Sequence, residues 1–235
     1  MDDNFTIYYL NEQAITLEFG QEIRQNILDQ LRRLNKLIHQ NPFPGFRTTV
    51  PAYTTLSVFF DPVQVIKSGL PGHDCFEKVS AYITQLKSGT GDDKKSTIKT
   101  VSIPVCYGNS FGPDLEEVAK RNNLTTNEVI TLHSSAVYQV YMIGFVPGFA
   151  YLGGMSALLS TPRKSTPRKA VPAGSVGIAG GQTGIYPLET PGGWQIIGRT
   201  PLQLFDVRKS SPALLKAGDL VVFKPITDQE YQLQL

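Results

Sequence analysis

Glycine is concentrated in one part of the chain: twelve of its 21 glycines lie between Gly144 and Gly198. Short apolar, β-branched and aromatic segments run between them. YQVYMIGF (138–145) is one, and Val171, Val176, Ile178 and Ile185 recur among small residues further on. Strands this short, broken this often by Gly and Pro, suit a β-barrel or sandwich.

The first third is patterned differently. FTIYYL (5–10), AITLEF (14–19) and TLSVFFDP (55–62) read as strands. QEIRQNILDQLRRLNKLIH (21–39) sets Ile23, Ile27, Leu31, Leu34 and Ile38 at helical spacing, and CFEKVSAYITQLK (75–87) is a second amphipathic helix. This order predicts a small α+β domain with helices on one face of a sheet. The polar stretch SGTGDDKKS (88–96) contains no apolar residue and is the linker candidate. The expected division is a 1–90 N-terminal domain and a 97–235 barrel domain. Within the second, TIKTVSIPVCY (97–107) restarts strand-like alternation and DLEEVAKRNN (114–123) reads as a helix with acids in its first turn. TTNEVITLHSS (125–135) opens with a capping box from Thr125 or Thr126 to Glu128.

At 235 residues and 41% hydrophobic, the chain has material for a core. A net charge of +2 points to neither nucleic acid nor membrane. No secretory signal pattern opens the chain and no apolar run reaches membrane-span length. Cys75 and Cys106 suit a reducing compartment, so a soluble cytoplasmic protein is expected.

Several chemistries are excluded. There is no G-x-x-x-x-G-K-[ST] and no G-x-G-x-x-G. His39, His73, His133 and the two cysteines form no metal-ligand spacing. AGSVG (173–177) approaches a nucleophile elbow, but glycines follow it and every histidine precedes Ser175. In the helix pair over 114–135, the second helix, TTNEVITLHSS, has none of the Arg, Lys or Gln that a DNA-reading helix presents.

One stretch invites a binding role. TPRKSTPRKAVPAGSVGIAGGQTG (161–184) repeats Thr-Pro-Arg-Lys and then places five glycines within eleven residues. Arg163 and Arg168 could form an anion site with guanidinium forks, beside backbone N–H groups left accessible by glycine. Equally, the glycines are turn positions and the cations a solvated rim. Five residues separate the arginines, so in a continuous strand they would face opposite ways; a turn at Ser165-Thr166-Pro167 would bring both to one side.

GFVPGFAYLGG (144–154) and STPRKSTPRKAVPAGSVGIAGGQTGIYPLETPGGWQIIGRTPLQLFD (160–206), with LHSSAVYQVYMIGF and PVCYGNSFGPDLEEVA before them, resemble the KipI / allophanate hydrolase subunit 1 family, also called the 5-oxoprolinase PxpB family. The likeness covers most of residues 100–225. Ala150 stands where the family often has proline.

The resemblance implies an α+β N-terminal domain followed by a mainly-β cyclophilin-like barrel. It implies work with a KipA-like subunit (PxpC) and a LamB/YcsF-like subunit (PxpA) as an ATP-dependent 5-oxoprolinase, with the chain inactive alone. The alternatives are a KipI-type inhibitor of a sensor histidine kinase and a urea carboxylase-type carboxyltransferase subunit. Under the enzymatic reading the catalytic candidates are His133, Arg163, Arg168 and Arg199: cations for developing charge and a histidine for proton transfer. The substrate-binding candidates are Phe145, Pro147, Tyr151, Ser175, Gln182, Thr183, Tyr186 and Trp194. ATP is expected in the assembled complex, with no metal site assigned to this chain.

Overall fold

The computed structural model describes residues 5–88 and 99–235. It separates into two compact units, Met1–Ser96 and Thr97–Leu235. The linker candidate 88–96 lies, apart from Ser88, outside the described residues.

The first unit is built on β1 (Thr6–Asn11), β2 (Ala14–Glu18), α1 (Gln25–Gln40), β3 (Phe46–Pro51), β4 (Thr55–Phe60), α2 (Pro62–Lys67) and α3 (Cys75–Ser88). Its antiparallel sheet runs β1-β2-β4-β3. The register opposes Ile15 to Val58 and Leu17 to Leu56, so alternate residues of the two central strands share one buried face. Ile27, Leu31, Leu34 and Ile38 give α1 its buried stripe. Ile23 does not join it. It precedes the helix and is 44% exposed, because α1 begins only after Arg24, which takes extended backbone angles. Strand β3 and the short helix α2 go beyond what the sequence pattern predicts. FRTTVP ends in proline and holds no run of large apolar residues, and α2 is started by Pro62 with the Asp61 carboxylate accepting from the Val63 and Gln64 N–H groups.

The second unit contains β5 (Thr100–Tyr107), α4 (Leu115–Arg121), α5 (Thr126–Ser135), β6 (Val137–Ile143), β7 (Ala150–Gly153), β8 (Arg168–Val171), β9 (Ser175–Ala179), β10 (Gln182–Ile185), β11 (Thr190–Gly192), β12 (Gln195–Arg199), β13 (Leu220–Pro225) and α6 (Asp228–Gln232). Seven strands close into a barrel in the order β10-β7-β6-β13-β5-β12-β9, and β9 pairs back to β10. The β5–β13 pair is parallel and the other barrel pairs are antiparallel. Ile103, Val105, Val140, Leu152, Val176, Ile178, Ile185, Ile197, Val221 and Phe223 fill its core. The capping box on α5 is formed by Thr125 and Glu128. Strands β8 and β11 make a separate two-stranded sheet.

Candidate functional site

Glycine leaves bare sheet on which large rings can lie. A Cβ at Gly184 would stand 3.0 Å from Trp194 and 3.1 Å from Phe149. These rings belong to an aromatic cluster centred on Phe149, which stands just before β7. Its ring centroid lies 5.5 Å from Phe145, 4.8 Å from Tyr151, 5.2 Å from Tyr186 and 5.5 Å from Trp194, each pair close to edge-on. Aromatic pairs prefer that geometry. The rings line a cavity of about 260 Å³, completed by Arg163, Pro167, Pro191, Gly192 and Gly193. Phe149, Tyr186 and Trp194 are buried, whereas Phe145 at its edge is 60% exposed.

Phe145 is held in an uncommon conformation. Its φ is +69°, and the Val146 N–H donates to the Gly144 carbonyl at 2.8 Å across it. A hydrogen bond spanning one residue with positive φ defines the strained form of the γ-turn. Side chains seldom tolerate this region, and such outliers persist where surrounding structure holds them. Here the Gly144 N–H donates to the Phe149 carbonyl at 3.1 Å, and the Phe149 N–H to the Val146 carbonyl, also at 3.1 Å.

The two arginines of the repeat have different environments. Ser165 and Thr166 form a bend, so the chain does turn between them. Arg163 lines the cavity, and no carboxylate or carbonyl holds its guanidinium among the described residues. Arg168 does not line it. Its Nη2 donates to Asp114 Oδ1 at 2.7 Å, and Lys164 Nζ donates to the same oxygen at 2.9 Å. The other oxygen, Oδ2, accepts from the Ile196 N–H at 2.7 Å. Asp114 is 3% exposed. Burial alone would raise its pKa, but the hydrogen bonds from Arg168, Lys164 and Ile196 outweigh that and hold it below the ordinary carboxylate value. The expected pair of arginines facing one site is thus replaced by one guanidinium open to the cavity and one ion-paired one.

The remaining candidates lie apart from the cavity. His133 is fully buried in the barrel, stacked on Phe223 at 4.4 Å. Its Nδ1 meets the Tyr107 hydroxyl at 2.8 Å and its Nε2 the Thr183 hydroxyl at 2.9 Å. Thr183 itself donates to the Gly177 carbonyl, so its oxygen receives the His133 Nε2–H and Nδ1 accepts from Tyr107. Burial pushes the imidazole pKa down to about 3. Without exposure or charge at neutral pH, His133 and Thr183 are core groups here, not groups placed against a substrate. Ser175 is buried at the start of β9, Gln182 opens β10, and Pro147 is exposed in the loop bearing Phe145. Arg199 donates from Nε to the Ala173 carbonyl at 2.8 Å and does not line the cavity.

Of the candidates, Phe145, Tyr151, Arg163, Tyr186 and Trp194 come together. Sequence reasoning missed Phe149, Pro167, Pro191 and the Gly192-Gly193 pair that also form the wall. Tyr151 and Tyr186 are pushed toward higher pKa by burial, with the Arg163 charge acting in the opposite sense. Both phenols therefore stay protonated at neutral pH and can donate hydrogen bonds. In sequence Asp114 reads only as a helix-start acid, and its fifty-residue separation from Lys164 leaves no local signal of the pairing. Among the described residues, no group of three or more His, Cys, Asp or Glu could hold a metal, and no helix is long and apolar enough to cross a membrane.

Residues 5–215 match the family model for the carboxyltransferase domain, subdomains C and D. The chain is 47% identical to the B subunit of 5-oxoprolinase from Bacillus subtilis, over 98% of this chain and 97% of that protein. It is 55% identical to the corresponding 5-oxoprolinase protein of Escherichia coli O157:H7, over 93% of this chain and 94% of that one. The crystal structure of TTHA0988 superposes with a TM-score of 0.77 at 34% identity, covering 91% of this chain and 40% of the other.

Proposed function

Because the chain belongs to the carboxyltransferase subdomain C and D family, and matches the 5-oxoprolinase B subunits over nearly its full length, we propose that it is the B subunit of a 5-oxoprolinase. In this reading it acts in the cytoplasm with a KipA-like and a LamB/YcsF-like subunit, which together open the 5-oxoproline ring to glutamate at the expense of ATP. The closed barrel is read as cyclophilin-like. The chain is inactive alone, since the cavity wall holds no nucleophile–base pair of its own.

The observation that carries the reading is the Arg163 guanidinium, unpaired among the described residues, in a cavity walled by five aromatic rings. 5-Oxoproline is a small flat lactam bearing one carboxylate. The guanidinium fork matches that carboxylate in two hydrogen bonds, and the ring faces Trp194 and Tyr186. The protonated hydroxyl of Tyr186 is a donor suited to the lactam oxygen, where charge builds when the amide is attacked. ATP does not fit here. The cavity of about 260 Å³ falls below the roughly 300–1,000 Å³ of sites for drug-sized ligands, and Arg163 is the one cation in its wall to meet a triphosphate. The nucleotide is therefore handled elsewhere in the assembled complex.

Arg163→Lys keeps the charge and removes the fork. In the co-expressed three-subunit complex it is expected to raise KM for 5-oxoproline by about tenfold or more, the worth of a charge-assisted hydrogen bond, with an unchanged melting temperature. Wild-type KM and turnover in this variant would overturn the assignment of the cavity.

A further inference from the structure

Three cations of one short segment converge near the cavity, yet only one is presented to it. Arg163 lines the wall, while the heads of Lys164 and Arg168 are both turned onto Asp114 Oδ1. The segment is fixed in that pose. The Lys164 N–H donates to the Gly193 carbonyl at 2.7 Å, and Gln195 Nε2 donates to the Pro162 carbonyl at 3.0 Å. Arg168 pairs in register with Gly192, which belongs to the cavity wall. The backbone of both ion-paired cations therefore adjoins the wall of the site that Arg163 faces, and the Arg168 charge acts on Tyr186 in that wall. Lys164 and Arg168 side chains keep 31% and 27% of their surface exposed, and Nη1 of Arg168 is buried with no hydrogen-bond partner.

We propose that Asp114 determines which anions the cavity accepts: by drawing Lys164 and Arg168 to itself it leaves one guanidinium, and so selects a monocarboxylate over di- and polyanions. The proposal rests on reading the cavity as a carboxylate site and adds what excludes phosphate compounds from it. Specificity of this kind comes from withholding favourable contacts from the wrong ligand as much as from offering them to the right one. Asp114 touches no ligand in this scheme; it is a positioning residue. Removing its charge frees two cations beside the cavity, and a pyrophosphate could then draw on three.

Trp194 is the chain's one tryptophan and lines the cavity, so its fluorescence reports occupancy in the full isolated chain. The experiment titrates wild type and Asp114→Asn with 5-oxoproline, with N-acetylglycine as a ring-free monocarboxylate, and with inorganic pyrophosphate. Asparagine keeps an acceptor for the Ile196 N–H. Wild type is expected to bind the two monocarboxylates at least about tenfold more tightly than pyrophosphate, and Asp114→Asn to gain about tenfold for pyrophosphate, charge-assisted contacts being of that size. Asp114→Glu, which restores the charge, should restore the wild-type preference. A purely structural role would weaken all three ligands together, without reversal, and would overturn the proposal. So would an Asp114→Asn chain that keeps the wild-type order of affinities. If Asp114→Asn does not fold, judged by circular dichroism, Asp114→Asn/Lys164→Gln removes one charge of each sign and, with Arg168 alone freed, should still gain affinity for pyrophosphate relative to the monocarboxylates, by less than the single variant; no gain would overturn the proposal. If 5-oxoproline alone is silent, the substrate assignment fails, while N-acetylglycine and pyrophosphate still decide the role of Asp114.

Discussion

At the scale of single residues, His133 shows how one side chain supports two readings in sequence. A histidine on a helix is a candidate acid or base until its surroundings are known. Here Tyr107, Thr183, Tyr138 and Phe223 enclose it, and both ring nitrogens are used within the core. Its folded pKa of about 3 lies well below the ordinary value of 6.5, so the unfolded chain binds a proton that the native state refuses. The contribution to stability is complete above pH 6.5 and is lost as pH falls toward 3. Between pH 6.5 and 4.5 the loss amounts to about 2–3 kcal/mol. The carboxylates with lowered pKa add to the loss only toward the low end of that window and below it, Glu128 and Glu230 as pH falls through their ordinary value of 4.5 and aspartates such as Asp114 through 3.8. Thermal melts of the wild type should therefore show a steady fall across that window. In His133→Gln, which is less stable at pH 7, the fall should be much shallower. Equal slopes in both would show that the imidazole is protonated in the native barrel.

At the scale of elements, glycine marks the barrel in sequence, but glycines there do unlike jobs. Gly174 has a φ of +82°, and a side chain on it would collide with the Thr200 carbonyl. Gly181, seven residues on, has ordinary φ and open space around it. Gly174→Ala is expected to cost roughly 2–4 kcal/mol, the range of backbone strain plus displaced packing. Gly181→Ala should be neutral or stabilise by about 0.4–1 kcal/mol through the unfolded chain. Urea denaturation of the two variants measures both; similar losses would mean that Gly181 too is sterically confined. Alternation and helical spacing make most of the elements legible. The capping box of α5 is legible because Thr125 and Glu128 are three residues apart. Strand β3 is not, since FRTTVP owes its place to pairing with β4 and not to its own apolar content. The aromatic part of the site can be read from Phe145, Tyr151, Tyr186 and Trp194, whereas the fate of Arg168 depends on Asp114, which only the closed barrel brings near.

At the scale of the whole molecule, each unit has its own core: Ile15, Leu31, Leu56 and Val58 in one, Ile103, Val140, Val176 and Val221 in the other. A break between them should leave both folded, and we place the boundary at SGTGDDKKS. Among the basic stretches open to trypsin, Lys94-Lys95 lies in that segment and Arg163 to Lys169 in the repeat. The second is exposed but tied down by the Lys164 N–H to Gly193 bond, the Asp114 ion pairs and the pairing of β8 with β11. A protease needs several residues of extended, detachable backbone, and each of those ties must open first. The first contains no apolar side chain to bury. Early digestion followed by mass spectrometry should thus release a fragment beginning at Lys95 or Ser96 and ending at Leu235. That fragment should keep the buried-indole emission of Trp194, which is 5% exposed. Cleavage within 163–169 ahead of 94–95 would show that the basic repeat is not held by Asp114, and would place the weak point of the chain inside the barrel unit.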